Sequence, residues 1–143
     1  MNDSVITSPA AERYDDARRR AHDDRLPPGY PTPQPTGTWP AENVALLEHF
    51  RQWLLSSSTN PQLVDIVYIP TAGNALGLNL KPHPQMDLDA DLERALDYVK
   101  AKQPSIHWLK MSRDALNKFR CFLRQQRGYA DVALRPLNLE RYH

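Results

Sequence analysis

A single cysteine, Cys121, is the only thiol in 143 residues, so no intrachain disulfide can form and a small disulfide-stapled scaffold is excluded. A reducing, cytoplasmic setting is the expectation that follows. Long hydrophobic runs are missing as well. Leu63 to Ile69 is interrupted by Asp65 and falls far short of the roughly 18–20 apolar residues of a membrane span. The first thirty residues carry many charges and no apolar stretch of the signal-peptide kind. Neither sign of charge dominates, with eighteen Lys and Arg against seventeen Asp and Glu, so any electrostatic role must come from distribution. Gly73-Asn-Ala-Leu-Gly77 fits neither GxGxxG nor GxxxxGK[ST], which excludes a phosphate cradle there. The histidines (22, 49, 83, 107 and 143) lack H-x-x-x-H spacing and Cys121 lacks a CxxC partner, so a zinc site is not expected. Asp87-x-Asp89-x-Asp91 begins like a calcium loop. Leu92 and Tyr98 then occupy the positions of its glycine and bidentate glutamate, so these carboxylates are read as helix-start residues. No metal, no cofactor and no catalytic activity are expected.

What is present is proline at one end and helical periodicity at the other. Seven of the thirteen prolines fall in the first forty residues, beside many charges and few aliphatics, too little apolar surface to offset the entropy of ordering. Residues 1–39 are therefore expected to be a mostly disordered, proline-rich tail. In it, Ala10 to Arg25 forms at most a transient helix with nothing to pack against, and 26–40 is an extended spacer. Folding is expected to begin near Trp39. Leu46, Leu47, Phe50, Trp53 and Leu54 make one stripe of a helix that the Ser56–Thr59 run ends. Residues 61–76 contain strand formers, but Asn60-Pro61 is a cap and first-turn pair, and no second strand exists to pair with. A helix interrupted at Pro70 is expected, followed by a loop from Gly77 to Gln85. Acidic residues 87–93 open the next helix, which runs to about Lys102. A long helix follows from about Ile106 to Gln126, stopped by Gly128. Its buried line is Leu109, Ser112, Leu116, Phe119 and Leu123, broadened by Trp108, Ala115 and Phe122. The expected fold is all-α, a small bundle of four to five helices over residues 40–138, with 139–143 as a C-terminal tail.

Near-neutrality hides an uneven distribution. Residues 1–99 hold eight basic and fourteen acidic side chains, net −6, and residues 100–143 hold ten and three, net +7. On the last helix, Lys110, Arg113, Asn117, Arg120 and Arg124 recur at spacings of 3, 4, 3 and 4, which confines them to an arc of about 80°. They span about 20 Å. Lysine and arginine at that pitch can follow phosphates, and Asn or Arg can reach base edges. Lys118, Arg127 and Arg135 would strengthen the field. Duplex DNA is the expected partner. The bland alternative is a solvated outer face whose basic residues favour the helix C-terminus.

Three stretches carry a family resemblance. Asn43 to Leu54 is similar to an amphipathic first helix ending in an F-x-x-[WF]-L pattern. Asp89 to Val99 resembles a middle helix with acidic starts and an apolar end, and Ser105 to Gly128 resembles a helix written R-x-x-L-x-x-[FL]-x-x-F-L with a terminal glycine. Together they resemble the core-binding, SAM-like N-terminal domain of tyrosine recombinases and phage integrases. The resemblance implies one half of a clamp around duplex DNA in site-specific recombination or integration, with a recombinase catalytic domain or further protomers as partners. The catalytic residues of that family belong to a second domain that these 143 residues do not carry, and Tyr142 does not match its nucleophile, so binding without cleavage is expected. The Pro70 segment and the Lys81–Gln85 loop depart from the family's short connection. The competing expectation is a helical protein–protein adaptor or self-associating module that does not bind DNA.

Overall fold

A computed structural model of the chain describes residues 8–127, with side chains as far as Gln125. The described chain is all-helical: α1 (Pro9–Arg19), α2 (Ala41–Ser56), α3 (Pro61–Leu63), α4 (Ile69–Asn79), α5 (Leu88–Ala101) and α6 (Ile106–Arg127). The all-α bundle expected from periodicity is what the chain forms. Helices α3 and α4 are joined by a π turn, Val64–Tyr68, into one helical run, so the helix is not broken at Pro70. A proline ring clashes with the carbonyl four residues back. Here the preceding turn widens to an i→i−5 bond, Ile69 N donating to Val64 O, and the clash is relieved. The expected break at Pro70 is corrected accordingly. So is the loop expected from Gly77, since α4 continues to Asn79 and closes on Leu80 in the left-handed region, φ 62°.

Helix α4 lies at the centre, in contact with α1, α2, α5 and α6. It is buried on nearly every side, through Ile69, Thr71, Ala72, Gly73, Ala75, Leu76 and Gly77, as expected of a helix enclosed by others. Around it close Leu46, Leu47, Phe50 and Leu54 of α2, Leu92 and Leu96 of α5, and Leu109, Leu116, Phe119, Phe122 and Leu123 of α6. Phe50 joins α2 to α6, with its ring centroid 5.0 Å from Phe119 and 5.3 Å from Phe122, spacings at which tilted aromatic pairs add to simple burial.

The disordered tail expected over residues 1–39 is corrected for residues 8–39. Helix α1 is capped by Ser8, whose Oγ accepts from Ala11 N, and Glu48 of α2 accepts from both Ser8 Oγ (3.2 Å) and Ala10 N (2.9 Å). A carboxylate is thereby placed at the positive end of the helix dipole. Tyr14 is buried over Gly73 and Gly77, where an added Cβ would overlap its ring and its hydroxyl respectively. The proline-rich strap is tied down at Gln34: its carbonyl accepts from Tyr14 Oη (2.7 Å) and Trp39 Nε1 (2.9 Å), and its N–H donates to Gly77 O (3.0 Å). Apolar content was the wrong measure, because two aromatic rings and a glycine-lined channel hold the segment with few aliphatic residues.

Candidate nucleic-acid interface

Helix α6 begins where Ser105 Oγ accepts from Trp108 N (3.1 Å). It buries the line Leu109, Ser112, Leu116, Phe119 and Leu123, together with Ala115 and Phe122. Trp108 does not join that line. It is 40% exposed and faces a groove instead of the core.

The five residues of the expected cationic arc separate. Lys110 and Arg124 are exposed, and Asn117 is half-buried. Arg113 is half-buried and turns onto its neighbour, with Nε 3.1 Å and Nη2 2.9 Å from Asp114 Oδ1. Arg120 is buried, with Nη2 2.7 Å from Asp89 Oδ1. Its place in an outward-facing stripe is therefore corrected. It stands one turn beyond the buried Leu116, at the margin of the apolar face, and the start of α5 packs over it with Asp89 supplying the carboxylate. Burial lowers the proton affinity of its guanidinium, Asp89 opposes that shift, Arg124 adds to it and Glu93 opposes it. Lys118 is exposed, its ammonium 5.9 Å from the Trp53 ring centroid. The side chain of Arg127, and all of Arg135, lie outside the described residues.

No family model matches this chain, and neither does any curated protein or solved structure. The surface that remains for a polyanion is thus defined by its own chemistry: Lys110, Lys118 and Arg124 on the outer side of α6, with Arg113 at its edge and Asp114 as the acid on that helix. Over the described residues no group of three or more His, Cys, Asp or Glu is placed to hold a metal ion. Asp87 instead caps α5 by accepting from Ala90 N (3.1 Å), and buried Asp91 accepts from Asp87 N (3.0 Å) and Arg94 Nη1 (2.7 Å). No helix among the described residues is long and apolar enough to cross a membrane.

A second feature was missed from sequence. The arginine-rich end of α1 borders a groove of about 750 Å³ that also involves α4, α5 and the first turn of α6. The signal was available in Ala10, Tyr14 and Ala17 at helical spacing, matched by the small pair Gly73-x-x-x-Gly77, which lets two helix backbones approach closely.

Proposed function

We propose that the chain is a non-catalytic helical module that binds duplex DNA through the outer face of α6, as the resemblance to recombinase core-binding domains implies. The observation that supports it is the exposure of Lys110, Lys118 and Arg124 along one helix of the C-terminal stretch 100–143, whose net charge is +7. Residues 110 to 124 span about 21 Å, the length of several successive phosphates. Arg120 is not part of this surface. Its guanidinium serves the α5–α6 contact, and the reading rests on the remaining cations.

Three or four phosphate contacts give a salt slope of about −2.7 to −3.6, and a non-specific dissociation constant of roughly 10⁻⁴ to 10⁻⁶ M. The test is a titration of fluorescent duplex DNA at several salt concentrations. A Lys118→Glu/Arg124→Glu double variant is expected to lose at least tenfold in affinity and to flatten the slope by about two. Affinity that ignores salt, or a double variant that binds as well as the parent, overturns the reading. Sedimentation over a concentration series separates it from the adaptor reading, since a stable oligomer that buries the α6 face leaves no surface for DNA.

A further inference from the structure

The groove beside α1 is lined on one part by cations and on another by apolar side chains. Arg18, Arg20 and Arg25 come from the end of α1 and the 3₁₀ turn Asp23–Arg25 that follows it; Ile66 and Pro70 come from the π turn and α4, and Trp108 from α6. Ile66 is 61% exposed and Trp108 40%, large apolar surfaces left open within one concavity. The volume, about 750 Å³, lies in the range of small-ligand pockets.

The two carboxylates that line the groove, Asp16 and Asp65, and Asp23 beside it are already engaged. Asp16 pairs with Arg19, Asp65 sits between Arg13 (3.4 Å) and Arg51 (3.0 Å), and Asp23 accepts from Lys102 (3.3 Å) and from the Tyr98 hydroxyl. Among the described residues none of these acids meets Arg18, Arg20 or Arg25. Arg18 Nε is shielded from solvent and has no hydrogen-bond partner there. Basic residues in the last turn of α1 also favour its dipole, but Arg20 and Arg25 lie beyond that turn.

The geometry points to a binding site for a small organic anion, a phosphate monoester or carboxylate carried on an aromatic or aliphatic body. The anion meets the planar donor fork of Arg18, with Arg20 and Arg25 neutralising its charge. The body lies against Ile66, Pro70 and Trp108. At 100° per residue Trp108 stands about 160° around α6 from Lys110 and Arg124 and about 80° from Lys118, and none of these three cations lines the groove, so this site is distinct from the DNA-binding surface and each is tested by different variants.

The experiment is calorimetric titration of the full chain at low salt with 2-naphthyl phosphate and octanoate, and with inorganic phosphate and 2-naphthol as separate halves. An amphipathic anion is expected to bind with a dissociation constant of about 0.5 mM or tighter, and each half at least tenfold more weakly. Preference for the naphthyl ester assigns an aromatic body, and preference for octanoate an aliphatic one. Arg18→Gln is expected to weaken binding about tenfold. Ile66→Glu, at a site exposed enough to leave the fold intact, is expected to do the same, while Lys118→Glu/Arg124→Glu has no effect. The proposal is overturned if 2-naphthol or inorganic phosphate binds as tightly as the amphipathic anions, if none of the probes binds, or if neither groove variant weakens binding.

Discussion

Gly73 and Gly77 lie one turn apart on the face of α4 that receives Tyr14, and their lack of a side chain sets how closely α1 can approach. A methyl group at Gly73 would occupy the Tyr14 ring. Gly73→Ala is therefore expected to destabilise the chain by about 1–3 kcal/mol, the usual cost of overpacking, despite the better helix propensity of alanine. Urea unfolding measures it, and a neutral or stabilising result would refute the close packing. The Arg120–Asp89 pair is asymmetric, since Arg120 is buried and Asp89 is about half exposed. Removing the acid takes the facing carboxylate from a buried cation, whereas removing the base leaves a carboxylate that water can reach. Asp89→Ala is expected to cost about 2 kcal/mol and Arg120→Met less than 1 kcal/mol, with DNA affinity unchanged in the latter. Arg120→Met with weakened DNA binding at unchanged stability would return that residue to the interface. Helical angle alone could not assign this role, because 100° per residue places Arg120 near the cationic arc and says nothing of where Asp89, thirty-one positions earlier, arrives.

At the scale of elements, α2, α5 and α6 were legible because each carries a continuous apolar stripe and a recognisable start or stop. Ser105 and Asp87 cap as their positions suggest. Helix α1 was not legible. Its buried residues, Ala10 and Tyr14, form too thin a stripe to register unless their partner surface is known. Its removal tests whether it belongs to the core: a chain lacking residues 1–39 leaves the Gly73–Gly77 channel uncovered, and is expected to lose cooperative unfolding in urea. A truncated chain as stable as the whole would restore the spacer reading. Helix α2 ends through Thr59 N donating to Leu54 O (3.3 Å), with exposed Ser58 at φ 63°. This closing turn favours glycine. Ser58→Gly is expected to stabilise by up to about 1 kcal/mol, read as a rise in thermal midpoint.

Across the whole molecule, two phenols are shielded in the same region. Burial pushes the Tyr14 pKa well up, with Asp15 and Asp23 adding to the shift and Arg18 opposing it. Burial also raises Tyr98, together with its hydrogen bond to Asp23. Unfolded tyrosines lose their protons from about pH 10 while these two keep theirs, so the native state holds more protons and stability falls as pH rises past that point. The expected slope is about 1.4 kcal/mol per pH unit for each tyrosine, and Tyr98→Phe should halve the combined decline. Urea midpoints between about pH 8 and 11 check the sign; a flat profile would contradict it. The charge asymmetry was countable from sequence, but which cations remain on the surface depended on packing. The bond from Gln34 to Gly77 has one more consequence. Its amide belongs to a proline-flanked stretch outside any helix, yet its hydrogen should exchange with deuterium far more slowly than that of an exposed turn, because releasing it requires the strap to lift off the central helix.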